Sequence, residues 1–281
     1  MFKRSIMVTA TLLIAGCGGG GVGEDIGRAV ADGLVCGLSN CKESNTVSTD
    51  NVSPRFTITQ ANGKVHVDAW LSQSANVLTT LMPSPGDSLT ASDGDAPPVK
   101  LRDESNDRMR WVTDFSNTSA QPRITVNFVR NGQAYPNVVT MPKPFSIVSP
   151  AGGLQIRRST GQLDVKLASD NLQSVGLAVD ANCTRSDRSN FASKGVGLNR
   201  QQDTTDASTF HISTLALDKA LNDASVAANK NDPLTSPVAN CSLTLNWTIT
   251  VEGTVAPALN QHGWIVATRS VGLAASYDAG S

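Results

Sequence analysis

The chain has 281 residues, 17% of them charged and 5% aromatic, with a formal net charge of −1. That balance leaves no basic stripe of the kind nucleic acid requires. Past the leader, no apolar run approaches the ~18–20 residues of a membrane-spanning helix, and the length suits two bodies of about 100 residues each.

Residues 1–16 join a short basic start (Lys3, Arg4) to an apolar run from Ile6 to Ile14 and then small residues. This is the pattern of a secretory signal peptide, with an apolar region too short to cross a bilayer. Its end, Ile14-Ala15-Gly16-Cys17, resembles the lipobox of bacterial lipoproteins. The resemblance implies cleavage before Cys17, which then carries a diacylglyceryl thioether and an N-acyl chain such as palmitate. Each buried methylene contributes about 0.8 kcal/mol and one chain binds only reversibly, so three chains hold the protein to the membrane essentially permanently. Gly18 follows the cysteine where an aspartate would imply inner-membrane retention, so the resemblance implies the outer membrane, the body being periplasmic or surface-exposed. Removing residues 1–16 takes away two positive charges and no acids, which moves the net charge from −1 to −3.

Gly18 to Gly21 and Gly23 read as a flexible leash. Glu24 to Leu34 has Ile26, Val30 and Leu34 at helical spacing and acids at its start. Cys36 and Cys41 follow in a turn-like context and are expected to form a local disulfide, since a metal site would need two further ligands. Residues 17–54 thus form an acylated, disulfide-clipped linker.

From Arg55 onward the texture is short alternating runs broken by Gly, Pro, Asn and Asp, the signature of antiparallel sandwiches. Ala61-Asn62-Gly63 and Asn131-Gly132 read as hairpin turns. Val65, Val67, Ala69 and Leu71 share one face of a strand, with His66, Asp68 and Trp70 on the other. Residues 83–107 read as a long polar excursion, and Pro142 and Pro144 mark a junction. The expected fold class is all-β: two tandem immunoglobulin-like antiparallel β-sandwiches, over 55–143 and 144–281, after the lipidated leader and linker.

The second body carries the clearest periodicity. Val175, Leu177, Val179, Ala181 and Cys183 share one parity, and so do Cys241, Leu243, Leu245, Trp247, Ile249 and Val251. Alternate strand residues face opposite sides, so both cysteines fall on buried faces. Cys183 closes one strand and Cys241 opens another, so antiparallel strands bring them to the same end and predict a Cys183–Cys241 disulfide. Residues 184–240 form a second excursion, with a strand at Thr209–Ser213 and a short helix at Leu215–Leu221. Trp264 to Ala275 reads as a closing strand in which Arg269 interrupts the apolar parity, so a bulge or edge position is expected there.

The chemistry-bearing residues are sparse. The three histidines form no cluster, and neither an H-E-x-x-H motif nor a G-x-S-x-G elbow is present. No catalytic residue, metal site or cofactor is assigned, and no enzyme activity is expected. Asp93-Gly94-Asp95 with Asp87 upstream lacks the spacing of a calcium loop. The His66, Asp68 and Trp70 face is the best small-molecule candidate, because an exposed indole beside hydrogen-bonding groups can stack on a sugar ring. Beyond the lipobox, the texture resembles Gram-negative envelope lipoproteins in which such sandwiches act as binding or assembly modules. It implies a non-catalytic protein that binds a protein partner through the 83–107 and 184–240 segments. Glycan binding at Trp70 is the alternative, and nucleic acid is not expected.

Overall fold

The computed structural model describes residues 40–280 apart from 62, 75, 95, 105, 118 and 173. Cys17, Cys36, the glycine leash and the expected helix over 24–34 lie outside the described residues. The first body holds β1 (Lys42–Glu43), β2 (Val52–Ala61), β3 (Lys64–Gln73), β4 (Asn76–Met82), β5 (Asp87–Asp93), β6 (Val99–Lys100), β7 (Arg102–Asp103), β8 (Trp111–Ser116), β9 (Arg123–Arg130) and β10 (Gln133–Thr140). The second holds β11 (Ser146–Ser149), β12 (Leu154–Arg157), β13 (Gln162–Ala168), β14 (Val175–Arg185), β15 (Asn190–Gly197), β16 (Gln201–Gln202) and β17 (Thr209–Ser213), then helix α1 (Thr214–Ala228), β18 (Val238–Glu252) and β19 (Trp264–Asp278).

The chain is an all-β sandwich protein with two cores in tandem, and the cores share one wall. An eleven-stranded sheet runs behind both in the order β1-β4-β3-β2-β19-β18-β14-β15, with β7, β8 and β12 attached beside that line. Two four-stranded sheets cover it, β10-β9-β5-β6 over the first half and β11-β13-β17-β16 over the second. Pairing is antiparallel except that β19 runs parallel to both β2 and β12, and β1 to β4.

Alternation explains why these segments are strands. In β18 Cys241, Leu243, Leu245, Trp247 and Ile249 are buried while the residues between them are not. β13 repeats this with Leu163, Val165 and Leu167. Each such side chain contributes roughly 1.5–3 kcal/mol on burial, and Trp247, fully buried against Phe210 at 5.5 Å between ring centroids, lies in the second core. The turns behave as their residues dictate. Asn131 and Gly132 both take positive φ, 51° and 78°, in the two-residue hairpin between β9 and β10.

Cys183 and Cys241 are bonded to each other and are direct register partners on β14 and β18. The bridge therefore joins neighbouring strands of one sheet.

The β18–β19 hairpin crosses the division expected at 143/144. Leu273 and Tyr277 of β19 belong to the second core, but Ile265 and Ala267 of the same strand, with Ala256 and Leu259 of the loop before it, belong to the first. Arg269 sits on the inward parity between these two sets. It donates to the carbonyls of Pro142 at 3.0 Å and Ala120 at 2.8 Å, and to Gln60 Oε1 at 2.5 Å. The bulge or edge expected at Arg269 is absent: β19 pairs with β18 without a register shift and has strands on both sides. The charged residue interrupts the apolar parity because it marks the waist between two cores.

The chain enters the first body through a polar clamp. Arg130 of β9, only 11% exposed, donates to Asp87 Oδ2 at 3.2 Å and to the carbonyls of Ser44 at 2.6 Å and Val47 at 3.0 Å. Ser44 Oγ donates to the same carboxylate oxygen at 2.6 Å. Arg108 pairs with Glu43 and holds that carboxyl below its usual range.

Candidate functional site

β3 does present His66, Asp68 and Trp70 on the face opposite the core, where its register sets them against Thr59, Thr57 and Arg55 of β2. Two of the three are held by β8 on the other side and the residue that leads into it. His66 Nδ1 lies 2.9 Å from Asp114 Oδ1, its register partner on β8. Asp68 accepts from Arg110 Nε, 3.0 Å from each carboxylate oxygen, and Arg110 also pairs with Glu104 at 2.7 Å. The Asp68 carboxylate raises the Arg110 guanidinium above its ordinary value. Trp70 keeps 41% of its surface exposed. On this same face, beside Trp70, Arg55 is buried, donates to Ser72 Oγ at 3.2 Å and lies 5.9 Å from the centre of the Trp264 ring.

The segments expected to be excursions are largely ordered elements. Residues 83–107 contain β5, whose Leu89 and Ala91 are fully buried in the first core, together with β6 and β7. Asp87 and Asp93 stand at opposite ends of β5, so they share no cation site. Asp87 is engaged by Arg130 and Ser44, Asp93 accepts from Asn117, and Asp95 lies outside the described residues. Residues 184–240 contain β15, β16, β17 and α1. The strand at Thr209–Ser213 matches the expected bounds, whereas the helix runs on to Ala228. Ser213 caps it, accepting from the Ala216 amide, and Leu217, Leu221 and Ser225 form its buried stripe.

One constellation had no clear sequence signal. His211 of β17 lies between two carboxylates, with Nδ1 2.7 Å from Asp164 of β13 and Nε2 2.9 Å from Asp203. Asp164 first, then Asp203, raises the imidazole above its ordinary value. Asp203 is itself held well below the carboxylate range, chiefly by Thr205 and the amides of Thr205 and Asp206. Asp164 and His211 are register partners, and their outward parity was readable in each strand, but nothing in the sequence says that β13 and β17 pair.

At the waist a cleft of about 730 Å³ opens between the two bodies. One wall is the end of β10 and the segment after it, Val138 to Lys143, and the other is the end of β18, Ile249 to Thr254. The walls touch at one end, where the Val138 and Thr254 backbones form an antiparallel bridge. Gly253 permits that approach, since a Cβ there would fall 2.2 Å from the Val138 carbonyl oxygen. Beyond the bridge the strands part. Val139 and Met141 belong to the first core, Ile249 to the second, and Arg123, Lys143, Asp170 and Glu252 supply charge. Lys143 and Asp170 pair with each other at 2.7 Å, each stabilising the other's charged form. Arg123 and Glu252 have no ion pair among the described residues. This site was not legible in the sequence, because its walls lie more than 100 residues apart.

No protein-family model matches the chain, and no curated protein matches it in sequence. Among solved structures it is similar to a Kfla1895 mutant in complex with isomaltose, at 7% identity and a TM-score of 0.27, over 78% of this chain and 30% of that one. It is similar to a marsupial T cell receptor at 7% identity and a TM-score of 0.20, over 77% and 73% of the two chains. It is similar to the Yersinia pseudotuberculosis adhesin InvE at 12% identity and a TM-score of 0.21, over 81% and 59%. The chain thus spans under a third of the first of these and under two thirds of the last. At such scores these similarities carry nothing about function, and the all-β description rests on the sheets themselves.

Proposed function

We propose that this chain is a non-catalytic envelope lipoprotein, anchored in the outer membrane through Cys17, whose tandem sandwiches bind a protein partner at the waist cleft. The observation that carries the reading is the cleft. It is built from strand ends of both bodies, its lining is part apolar and part polar, and an unpaired cation and an unpaired anion lie in it. Binding pockets occur preferentially at the interface between two domains. The lipobox pattern at Ile14–Cys17 supports the anchor, and the clamp at Arg130 and Arg108 supports a tethered body, since it secures the chain where it leaves the linker.

The test is in-cell cross-linking of the full acylated chain, followed by mass spectrometry of what co-purifies. A dominant protein cross-linked through the cleft walls is the expected result. Recovery of no specific protein would sink the reading. Glycan binding stays a second reading because Trp70 is 41% exposed on an outer sheet face. It predicts a tryptophan fluorescence change on adding envelope polysaccharide that Trp70→Ala removes; unchanged polysaccharide binding in that variant would rule it out.

A further inference from the structure

Backbone parity decides what the cleft walls offer. Within a sheet, successive residues of a strand direct their backbone groups to alternate neighbours. The Gly253 amide donates to the Ile265 carbonyl at 2.8 Å, so the odd-numbered residues at this end of β18 bond to β19. The Thr250 and Thr254 amides point the other way, to Ser174 at 3.4 Å and Val138 at 2.8 Å. Glu252 lies between them and therefore turns both its N–H and its C=O into the cleft. On the opposite wall the Met141 amide donates to Pro122 at 2.9 Å, which assigns odd-numbered residues of β10 to β9, while Val138 donates across to Thr254 at 2.9 Å. Thr140, next on that outer edge, also turns its N–H and C=O into the cleft. No intramolecular hydrogen bond reaches either backbone among the described residues.

We propose that the waist cleft is a strand-acceptor slot that takes an extended peptide segment of the partner, held through its main chain by Glu252 and Thr140. This rests on the protein-partner reading above and names what the partner presents. Two unpaired donors and two unpaired acceptors on facing strand edges match the alternating main chain of a strand, and added strands gain affinity from such bonds. Thr250 and Thr254, already bonded to Ser174 and Val138, bound the free edge of the β18 wall, so about three residues of a segment pair there, at ~3.3 Å each. Apolar side chains of the segment would lie over the half-buried Val251, and the unpaired Arg123 favours one acidic residue. Recognition through the main chain tolerates varied sequences, as a module serving an assembly requires.

The probe is a fluorescein-labelled octapeptide of alternating valine and threonine with one glutamate, blocked at both ends, titrated by anisotropy against the full acylated chain in detergent micelles. Saturable binding is expected, and N-methylation of alternate peptide amides should weaken it at least tenfold. Glu252→Pro and Thr140→Pro each remove a cleft-facing N–H without deleting an internal ladder bond, and proline is tolerated at such edges. Each should weaken binding at least tenfold, while Glu252→Gln should change it less than threefold. Two proline variants with wild-type circular dichroism and wild-type affinity would overturn the slot. If the octapeptide does not bind and both variants still cross-link the cellular partner, the slot falls and the protein-partner reading stands. If no partner is ever cross-linked, that reading fails and takes the slot with it.

Discussion

Arg130 satisfies Asp87 of β5 and the backbone carbonyls of Ser44 and Val47 in the entry segment, and its Asp87 partner is only 4% exposed. Removing one member of such a pair strands the other, which costs more than the pair itself is worth. Arg130→Met should lower unfolding stability by about 3 kcal/mol in urea titrations, and adding Asp87→Leu should recover part of the loss. His211 gives a prediction in pH. Its folded-state pKa lies above the ordinary 6.5, so the protonated ring stabilises the fold. That contribution is complete below about 6.5 and is lost as pH rises through the raised value. Asp164 and Asp203 behave oppositely: their contributions are present above about 3.8 and are lost as pH falls below it. An NMR titration of the His211 ring should show a midpoint above 6.5, and Asp164→Asn should bring it down. At this scale the sequence disclosed which face a side chain takes but not its neighbour. His66, Asp68 and Trp70 were placed together by parity. Asp114, which lies on β8, and Arg110, just before that strand, occupy two of them, and no local pattern specifies how β8 pairs.

The β18–β19 hairpin is the element that organises the molecule, and its strands were the most legible because their alternation is long and nearly unbroken. The same alternation placed Cys183 and Cys241 on buried faces and correctly joined them. Closing a loop with a sequence separation of 58 residues contributes about 4 kcal/mol in the chain-entropy model. Cys183→Ala with Cys241→Ala should therefore lower stability by up to that amount in denaturant titrations, and reductant should destabilise the variant less than it destabilises the wild type. β5 was missed for a physical reason. Its sequence, DSLTASD, offers only Leu89 and Ala91 to the core among small polar residues, so the period of two is too faint to read. Helix α1 extends beyond the expected Leu221, which the pattern hid because the second half, NDASVAA, puts no large apolar residue on the buried stripe, whose last member is Ser225. Ser225 Oγ accepts from the buried Arg185 at 2.7 Å.

At the scale of the whole molecule, the two cores cannot be divided by cutting the chain once. The first needs Ala256, Leu259, Ile265 and Ala267 from the far end of the sequence. A fragment ending at 143 should accordingly fail to give sharp amide dispersion in NMR. The full chain should unfold in one calorimetric transition, because the hairpin belongs to both cores; two well-separated transitions would show that the shared wall does not couple them. Long-range closure of this kind is invisible to local pattern, which reports that Trp264–Ala275 is a strand but not that it crosses a waist.

The parallel pairing of β2 with β19 has a mechanical consequence. β2 begins just after the clamped entry segment, and β19 ends at the opposite extremity of the second core. A pull between the clamped entry and the far end of β19 draws these two strands in opposite directions along their length. Their hydrogen bonds are then loaded together, in shear, rather than opened one after another like a zip. Forced unfolding follows the unfolding barrier rather than the equilibrium stability, so this geometry resists a pull applied along β2 and β19 more strongly than its equilibrium stability alone would suggest.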